Sequence, residues 1–250
     1  MVHNADGLDD ETMLRFAGET RLSETTFVQA ARDAGADYRN RIFTIAGEIP
    51  FAGHPSLGTA VAVARRRGER RARYVQETPS GLQPIEVELD GEQATASMLQ
   101  NPAEFGDQLE DAHALPDAHP DLPAQLVSTG LATVIAPVVE GALARAGPGL
   151  APLVDEVPGN PNLYVVDCSQ PERPRARMFS TMVEGGEDPA TGSAAGPLCA
   201  YLSRYAGVDE IVITQGVEIG RPSILHARIE GDRVRVGGDV VTIIEGTLTL

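Results

Sequence analysis

The sequence predicts an α+β protein of two pseudo-symmetric lobes, each a mostly antiparallel set of strands around one long apolar helix. Three observations carry that expectation. A phrase of residues occurs twice: Arg41, Phe43 and Thr44 lead to Glu48, Pro50 and Gly53, and Arg177, Phe179 and Ser180 lead to Glu187, Pro189 and Gly192. The match keeps its register downstream, because Gln76 and Gly81 recur as Gln215 and Gly220 at the same offset, with Gly91 and Gly231 one residue out of step. Each phrase then runs straight into an apolar, small-residue stretch followed by hairpin-like segments. A repeated unit of about 110–125 residues is far longer than a solenoid period and means two homologous lobes. The boundaries fall at 1–112 and 125–250, with a linker at 113–124.

The first element is a short amphipathic helix over 8–18: Asp9 and Asp10 supply the cap and first-turn acids, Met13 and Phe16 share a face, and Gly18 marks the end. The segments LSETTFVQA and YRNRIFTIAG alternate polar and apolar residues, are rich in Thr, Val and Ile, and read as strands. From Phe51 to Arg67 the chain reads as a helix, with Pro55 in its first turn, arginines in its last and Gly68 beyond it. The segments ARYVQETPSG and LQPIEVELDGEQATASML are hairpin strands with turns at PSG and DG. Residues 103–124 are acidic, Pro-rich and aperiodic, as a linker should be; His113 and His119 sit there among acids, where a solvated loop is favoured over a metal site. The second lobe repeats the order: GNPNLYVVDC and RARMFSTMV as strands, GSAAGPLCAYLSRYAG as the helix, then EIVITQGVEIG, SILHARIEGDRVRVGG and VVTIIEGTLTL as strands.

Composition limits the chemistry. The 250 residues are 42% hydrophobic but only 4% aromatic with no Trp, so the cores rest on Val, Leu, Ile and Ala. Twenty basic against 36 acidic residues give a net charge of −16, which repels nucleic acid and anionic membranes. Every basic residue is Arg, so a lysine Schiff base, a P-loop lysine and a lysine general base are all absent. The arginines from Arg65 to Arg73 read as a solvated helix end that complements the dipole. Cys168 and Cys199 have no metal spacing and read as neutral core thiols. The N-terminus lacks a signal-peptide pattern, and no stretch reaches the roughly 18 apolar residues of a membrane span, so a cytoplasmic protein is expected.

In both phrases the chain leaves a strand, passes Pro and Gly, and enters a helix whose first N–H groups have no internal partner. Such a helix start is an anion site. Two of them, related by a pseudo-dyad, would close on one small anionic substrate; the alternative is two tight turns that merely cap two core helices. His54 and Ser193 occupy the same place in the repeat, and Asp188 precedes Pro189. His54 and Asp188 are candidates for acid–base work. Ser193 lacks a nucleophile-elbow pattern and is assigned hydrogen bonding. Gly53, Thr191, Gly192 and Ser193 are the candidate substrate-binding residues.

LSETTF, the run E-x-P-F-A-G-H-P-S-L-G-T-A, then E-D-P-A-T-G-S-A, QG…GRPS and a late V-x-V-G-G together resemble the phenazine-biosynthesis isomerase-like (PhzF-like) family over residues 6–250. The resemblance implies a fold like that of diaminopimelate epimerase and proline racemase, with each sheet rolled around its helix, and isomerisation by proton transfer without cofactor or metal. It also implies that Glu24, in the S-E-T motif, is the acid–base residue. Ala52 and Ala190 stand in the region where the wider group places paired cysteines, which disfavours a two-thiol racemase. The resemblance further implies a homodimer, and a family first strand and G-N-P turn upstream of ADGLDDET that this sequence does not show, so that either its start is trimmed or the lobe tolerates an unpaired edge. Burial of Glu24 should raise its pKa toward neutrality. The expected function is therefore a cofactor-independent isomerase of a small carboxylate, with Glu24 catalytic and Asp188 or His54 as its complement. A dihydro-hydroxyanthranilate is the substrate that the family's name suggests, and the alternative is a non-catalytic metabolite- or protein-binding member of the same fold.

Overall fold

The computed structural model describes residues 1–109, 115, 117–159, 161–181, 183 and 185–249. It divides into two compact units, Met1–Met98 with Gly237–Leu250, and Leu99–Val236. This division differs from the one read from the sequence, and the sheet shows why. Strand β7 (Glu104–Gln108) pairs antiparallel with β8 (Gln125–Ser128), which carries the start of the acidic stretch into the second unit. Of the expected linker, residues 113, 114 and 116 lie outside the described residues, His113 among them.

In the first unit, helix α1 spans Asp10–Thr20. The Asp9 carboxylate accepts the Thr12 N–H at 2.8 Å, as an N-cap should. The helix passes Gly18 and ends two residues later, because Arg21 takes the left-handed conformation and donates its N–H to the Ala17 carbonyl. Strands β1 (Thr25–Gln29), β2 (Tyr38–Thr44), β4 (Arg71–Thr78), β5 (Gly81–Asp90) and β6 (Gln93–Leu99) lie in that order in the sheet, and β3 (Gly47–Ile49) pairs with β2. Helix α2, Gly53–Arg67, connects β3 to β4, so β2 and β4 run parallel while the other neighbours are antiparallel. Its Leu57, Ala60, Val61 and Ala64 pack on Tyr38, Tyr74, Ile85, Val87 and Met98. Full burial of each large aliphatic side chain is worth about 1.5–3 kcal/mol, and this stripe holds α2 on the sheet.

The second unit repeats the plan. Strand β11 (Arg175–Phe179) is followed by β12 (Glu187–Asp188), helix α3 (Gly192–Ala206), β13 (Glu210–Gln215) and β14 (Ser223–Glu230). β11 and β13 are parallel and β13 and β14 antiparallel, as β2, β4 and β5 are. The hairpin glycines Gly91 and Gly231 both take positive φ, +61° and +68°, which the turn after an Asp or Glu demands. β10 (Asn162–Asp167) lies within the segment GNPNLYVVDC read as a strand, whereas β9 (Ala132–Val138) and β8 were not assigned from the sequence. One face of β10, with Tyr164 and Val166, meets Ala195, Leu198 and Leu202 of α3. The other face, with Leu163 and Val165, meets two 3-10 segments at Ala142–Arg145 and Pro148–Val154. Burial on both faces explains the unbroken apolar run of β10.

β15 (Arg233–Asp239) closes the strand count. The expected last strand, VVTIIEGTLTL, does not form among the described residues: the Val240 N–H reaches the Ala94 carbonyl at 2.8 Å, and no backbone hydrogen bond joins 241–249 to the rest of those residues. The alternating composition is there, but the segment has no neighbouring strand to pair with. Val241, Ile243 and Ile244 are consequently 72, 82 and 88% exposed. At the other end, residues 2–5 run beside β1: Val2 donates to Thr26 and accepts from Val28, and Ala5 donates to Val28.

Candidate active site

Each unit presents a helix start built by its copy of the phrase. The arginine and glutamate of the phrase form a brace. Arg41 grips Glu48 with Nε to Oε1 at 2.8 Å and an Nη2 contact of 2.6 Å, and Arg177 grips Glu187 with the same two contacts at the same distances. The guanidinium carbons lie 5.2 and 5.1 Å from the rings of Phe43 and Phe179. Arg177 also donates to the carbonyls of Leu143 and Ala146. These bidentate pairs fix the hairpin that delivers the chain to Pro50 or Pro189.

In the first unit, Glu24 sits in the short link between α1 and β1. Its Oε2 lies 3.0 Å from Nε2 of His54, the second residue of α2, with side chains 18% and 46% exposed. Oε2 is enclosed, with the His54 imidazole beside it. Desolvation pushes the Glu24 carboxyl up, but His54 and Ser23 outweigh it and the net shift is downward. The expectation of a raised pKa is therefore corrected: the Glu24 carboxyl is held below the ordinary glutamate value. The N-cap of α2 is Ala52, which caps nothing with its side chain, so the first-turn N–H groups have no side-chain acceptor there. Ser56 ties its hydroxyl to the Ala52 carbonyl at 2.7 Å and accepts from Gln76 Nε2 at 2.8 Å.

In the second unit, Asp188 ends β12 and accepts the Thr191 hydroxyl at 2.6 Å. Thr191 is the N-cap of α3, and since its hydroxyl is spent on Asp188 the helix start again has no side-chain cap. Gln215 is fully buried; its Nε2 donates to the Asp188 carbonyl at 2.7 Å and to the Thr191 hydroxyl at 2.9 Å. The Gly192 carbonyl accepts from Gln100 at 2.9 Å, and Ser193 is partly exposed in the first turn. Gly53, Gly192 and Thr191 are buried. The structure thus brings Glu24 to His54 and Asp188 to Thr191. Sequence reasoning passed over Ser23, Gln76, Gln215 and the Arg–Glu braces, although the repeat register already marked both glutamines and both braces. Cys168 and Cys199 are buried and their thiols are pushed up to about 12, which agrees with inert core residues. His119 Nδ1 accepts the Asp121 N–H, and no cluster of three potential metal ligands occurs among the described residues.

Residues 1–246 match the family model described as phenazine biosynthesis-like protein. The chain belongs to this family. It is 36% identical over 266 residues to trans-2,3-dihydro-3-hydroxyanthranilate isomerase of Pseudomonas chlororaphis, a match covering 99% of this chain and 91% of that protein. The isomerase of the same name from Pseudomonas fluorescens is also 36% identical, over 263 residues. Among solved structures, a predicted epimerase from Pseudomonas aeruginosa superposes with a TM-score of 0.85 at 33% identity, covering 100% of this chain and 92% of that one. A probable proline racemase from Agrobacterium radiobacter, at a TM-score of 0.67 and 14% identity over 98% of this chain and 83% of that one, shares the fold. The phenazine biosynthesis-like chain is an enzyme of the isomerase class, and its α+β architecture is the epimerase-like one that the family resemblance implied.

Proposed function

We propose that this phenazine biosynthesis-like protein isomerises a small carboxylate by moving a proton between carbons, with Glu24 as the base. The observation that carries the reading is the Glu24–His54 pair, 3.0 Å apart, at the uncapped start of α2. The Glu24 carboxylate takes a proton from a C–H next to an unsaturated or carbonyl-bearing carbon. The electron pair left behind is delocalised as an enolate-like anion, and a proton returns at a different carbon, so the product is an isomer and no oxidant or reductant enters. His54 or Asp188 is the complementary donor. The N–H groups of Gly53, Gly192 and Ser193 hold the substrate carboxylate and the developing negative charge. No cofactor takes part in these steps. A cyclic carboxylate of the kind named in the Pseudomonas isomerases is the substrate class, the active form is a homodimer, and the compartment is the cytoplasm.

The test is solvent deuterium. Incubated in D₂O with a panel of cyclic and amino-acid carboxylates, the wild-type protein labels one C–H position, and Glu24→Gln does not. Label that persists in Glu24→Gln removes Glu24 from the reaction. A wild type that binds carboxylates yet labels none is a binding protein.

A further inference from the structure

We propose that Gln215 is a positioning residue that sets the Asp188–Thr191 turn of the second unit, and that Gln76 is its counterpart in the first. This rests on the proton-transfer reading above and names what holds its second half in place.

Gln215 ends β13 with none of its surface exposed, and its amide uses both ends. Nε2 donates to the Asp188 carbonyl and the Thr191 hydroxyl, while Oε1 accepts the Thr191 N–H at 3.2 Å and the Tyr164 hydroxyl at 2.9 Å. Four hydrogen bonds from one planar group leave the turn a single arrangement. In it the Thr191 hydroxyl, which already accepts from Gln215, donates its hydrogen bond to the Asp188 carboxylate. The next residue tightens the clasp: Gly216 has φ +76°, and a Cβ there would lie 2.3 Å from the Arg221 carbonyl oxygen and 2.8 Å from that of Pro189, so only glycine lets the loop sit against the turn. An apolar side chain of similar volume would fill the space but leave the Thr191 N–H, the Tyr164 hydroxyl and the Asp188 carbonyl without the amide that satisfies them.

Gln76 has the same place in the repeat and is also fully buried. Its Oε1 accepts from Asn40 at 3.0 Å and its Nε2 donates to Ser56, whose hydroxyl holds the Ala52 carbonyl just before Gly53 and His54. The two glutamines therefore do one job by different routes. One binds its turn directly, and the other binds it through a serine. Neither reaches out of the core, so neither is a catalytic residue.

Gln215→Met keeps volume and removes all four bonds. The expected result is kcat lower by about 10- to 100-fold, as misplacement of a reacting group gives, with KM within about 3-fold. The Thr191 amide should exchange with solvent at least about 10-fold faster while β13–β14 amides are unchanged, since a protected N–H loses its acceptor. Because Gln215 acts through Thr191, Gln215→Met combined with Thr191→Val should be no worse than Thr191→Val alone, the non-additivity expected of one network. Losses that multiply, or an unchanged kcat in a folded Gln215→Met protein, overturn the proposal. Should Gln215→Met not fold, Tyr164→Phe removes one hydroxyl at nearly constant shape and gives the same two signatures at lower amplitude; indifference in both readouts there is equally fatal. A wild type that labels no carboxylate strikes the proton-transfer reading itself, and does so before any variant is made.

Discussion

Replacing Arg177 by Met separates the two copies of the phrase by their burial. Arg177 and Glu187 are 8 and 4% exposed at the side chain, whereas Arg41 and Glu48 are 9 and 26% exposed. Arg177→Met strands a buried carboxylate that has lost both its charged donors, and it deprives two carbonyls, of Leu143 and Ala146, of a shared partner. Removing one member of a buried pair costs about 3–5 kcal/mol. In a protein of this length each kcal/mol moves Tm by roughly 2–4 °C, so the loss should be about 6–20 °C. Glu48 keeps contact with water, and Arg41→Met should cost about 1–2 kcal/mol, between the exposed and buried cases. The assay is thermal unfolding followed by circular dichroism, with urea unfolding as a check. Arg177→Met combined with Glu187→Leu should recover more than half of the single-mutant loss, because the stranded charge goes with it. Equal costs at Arg177 and Arg41, or a double mutant no better than Arg177→Met, would refute the argument that desolvation of the partner sets the penalty.

Activity should hold to lower pH than an ordinary glutamate base allows, because the Glu24 carboxyl is depressed; kcat/KM against pH locates the limb, which His54→Ala should move upward by leaving only Ser23 to oppose desolvation. The same depression contributes stability above the free carboxylate value that disappears as pH falls through the folded one, so Glu24→Gln should flatten the acid side of a Tm–pH curve. Cys168 and Cys199 should resist Ellman's reagent at pH 8 in the folded protein and react within minutes in guanidinium, as thiols pushed up to about 12 must. Ile243→Asp with Ile244→Asp should reduce self-association in sedimentation at tens of micromolar if the exposed 241–249 segment mediates it.

The repeat was legible because the residues that build it do the same physical work twice. Arg, Glu, Pro and Gly recur where a braced turn must deliver a helix, and the recurrence of Gln76 and Gln215 marked the amides that hold that turn. Asp188 and Thr191 stand three residues apart, so their contact is local. Glu24 and His54 lie on different elements, and nothing in their spacing states that they meet; the family resemblance pointed to Glu24, and the fold supplied its partner. β9 and β10 showed strand composition, yet the 3-10 layer under Leu163 and Val165 has no periodicity to betray it. The segment 241–249 misled for the opposite reason: alternation describes which residues suit a strand, while pairing needs a neighbour that the sequence of the segment does not contain.

Gly237 and Val240 belong to the first unit, although the whole second unit precedes them in the chain. A Cβ on Gly237 would lie 2.7 Å from the Ala96 carbonyl oxygen, and Val240 bonds the Ala94 carbonyl, so β6 is finished by residues made long after it. During synthesis the first unit must therefore wait, with Glu24 and His54 already out of the ribosome, until the second has been translated. Truncation before Gly237 should accordingly damage the amino-terminal half of the protein and spare the carboxy-terminal one. The order of manufacture and the order of completion run in opposite directions.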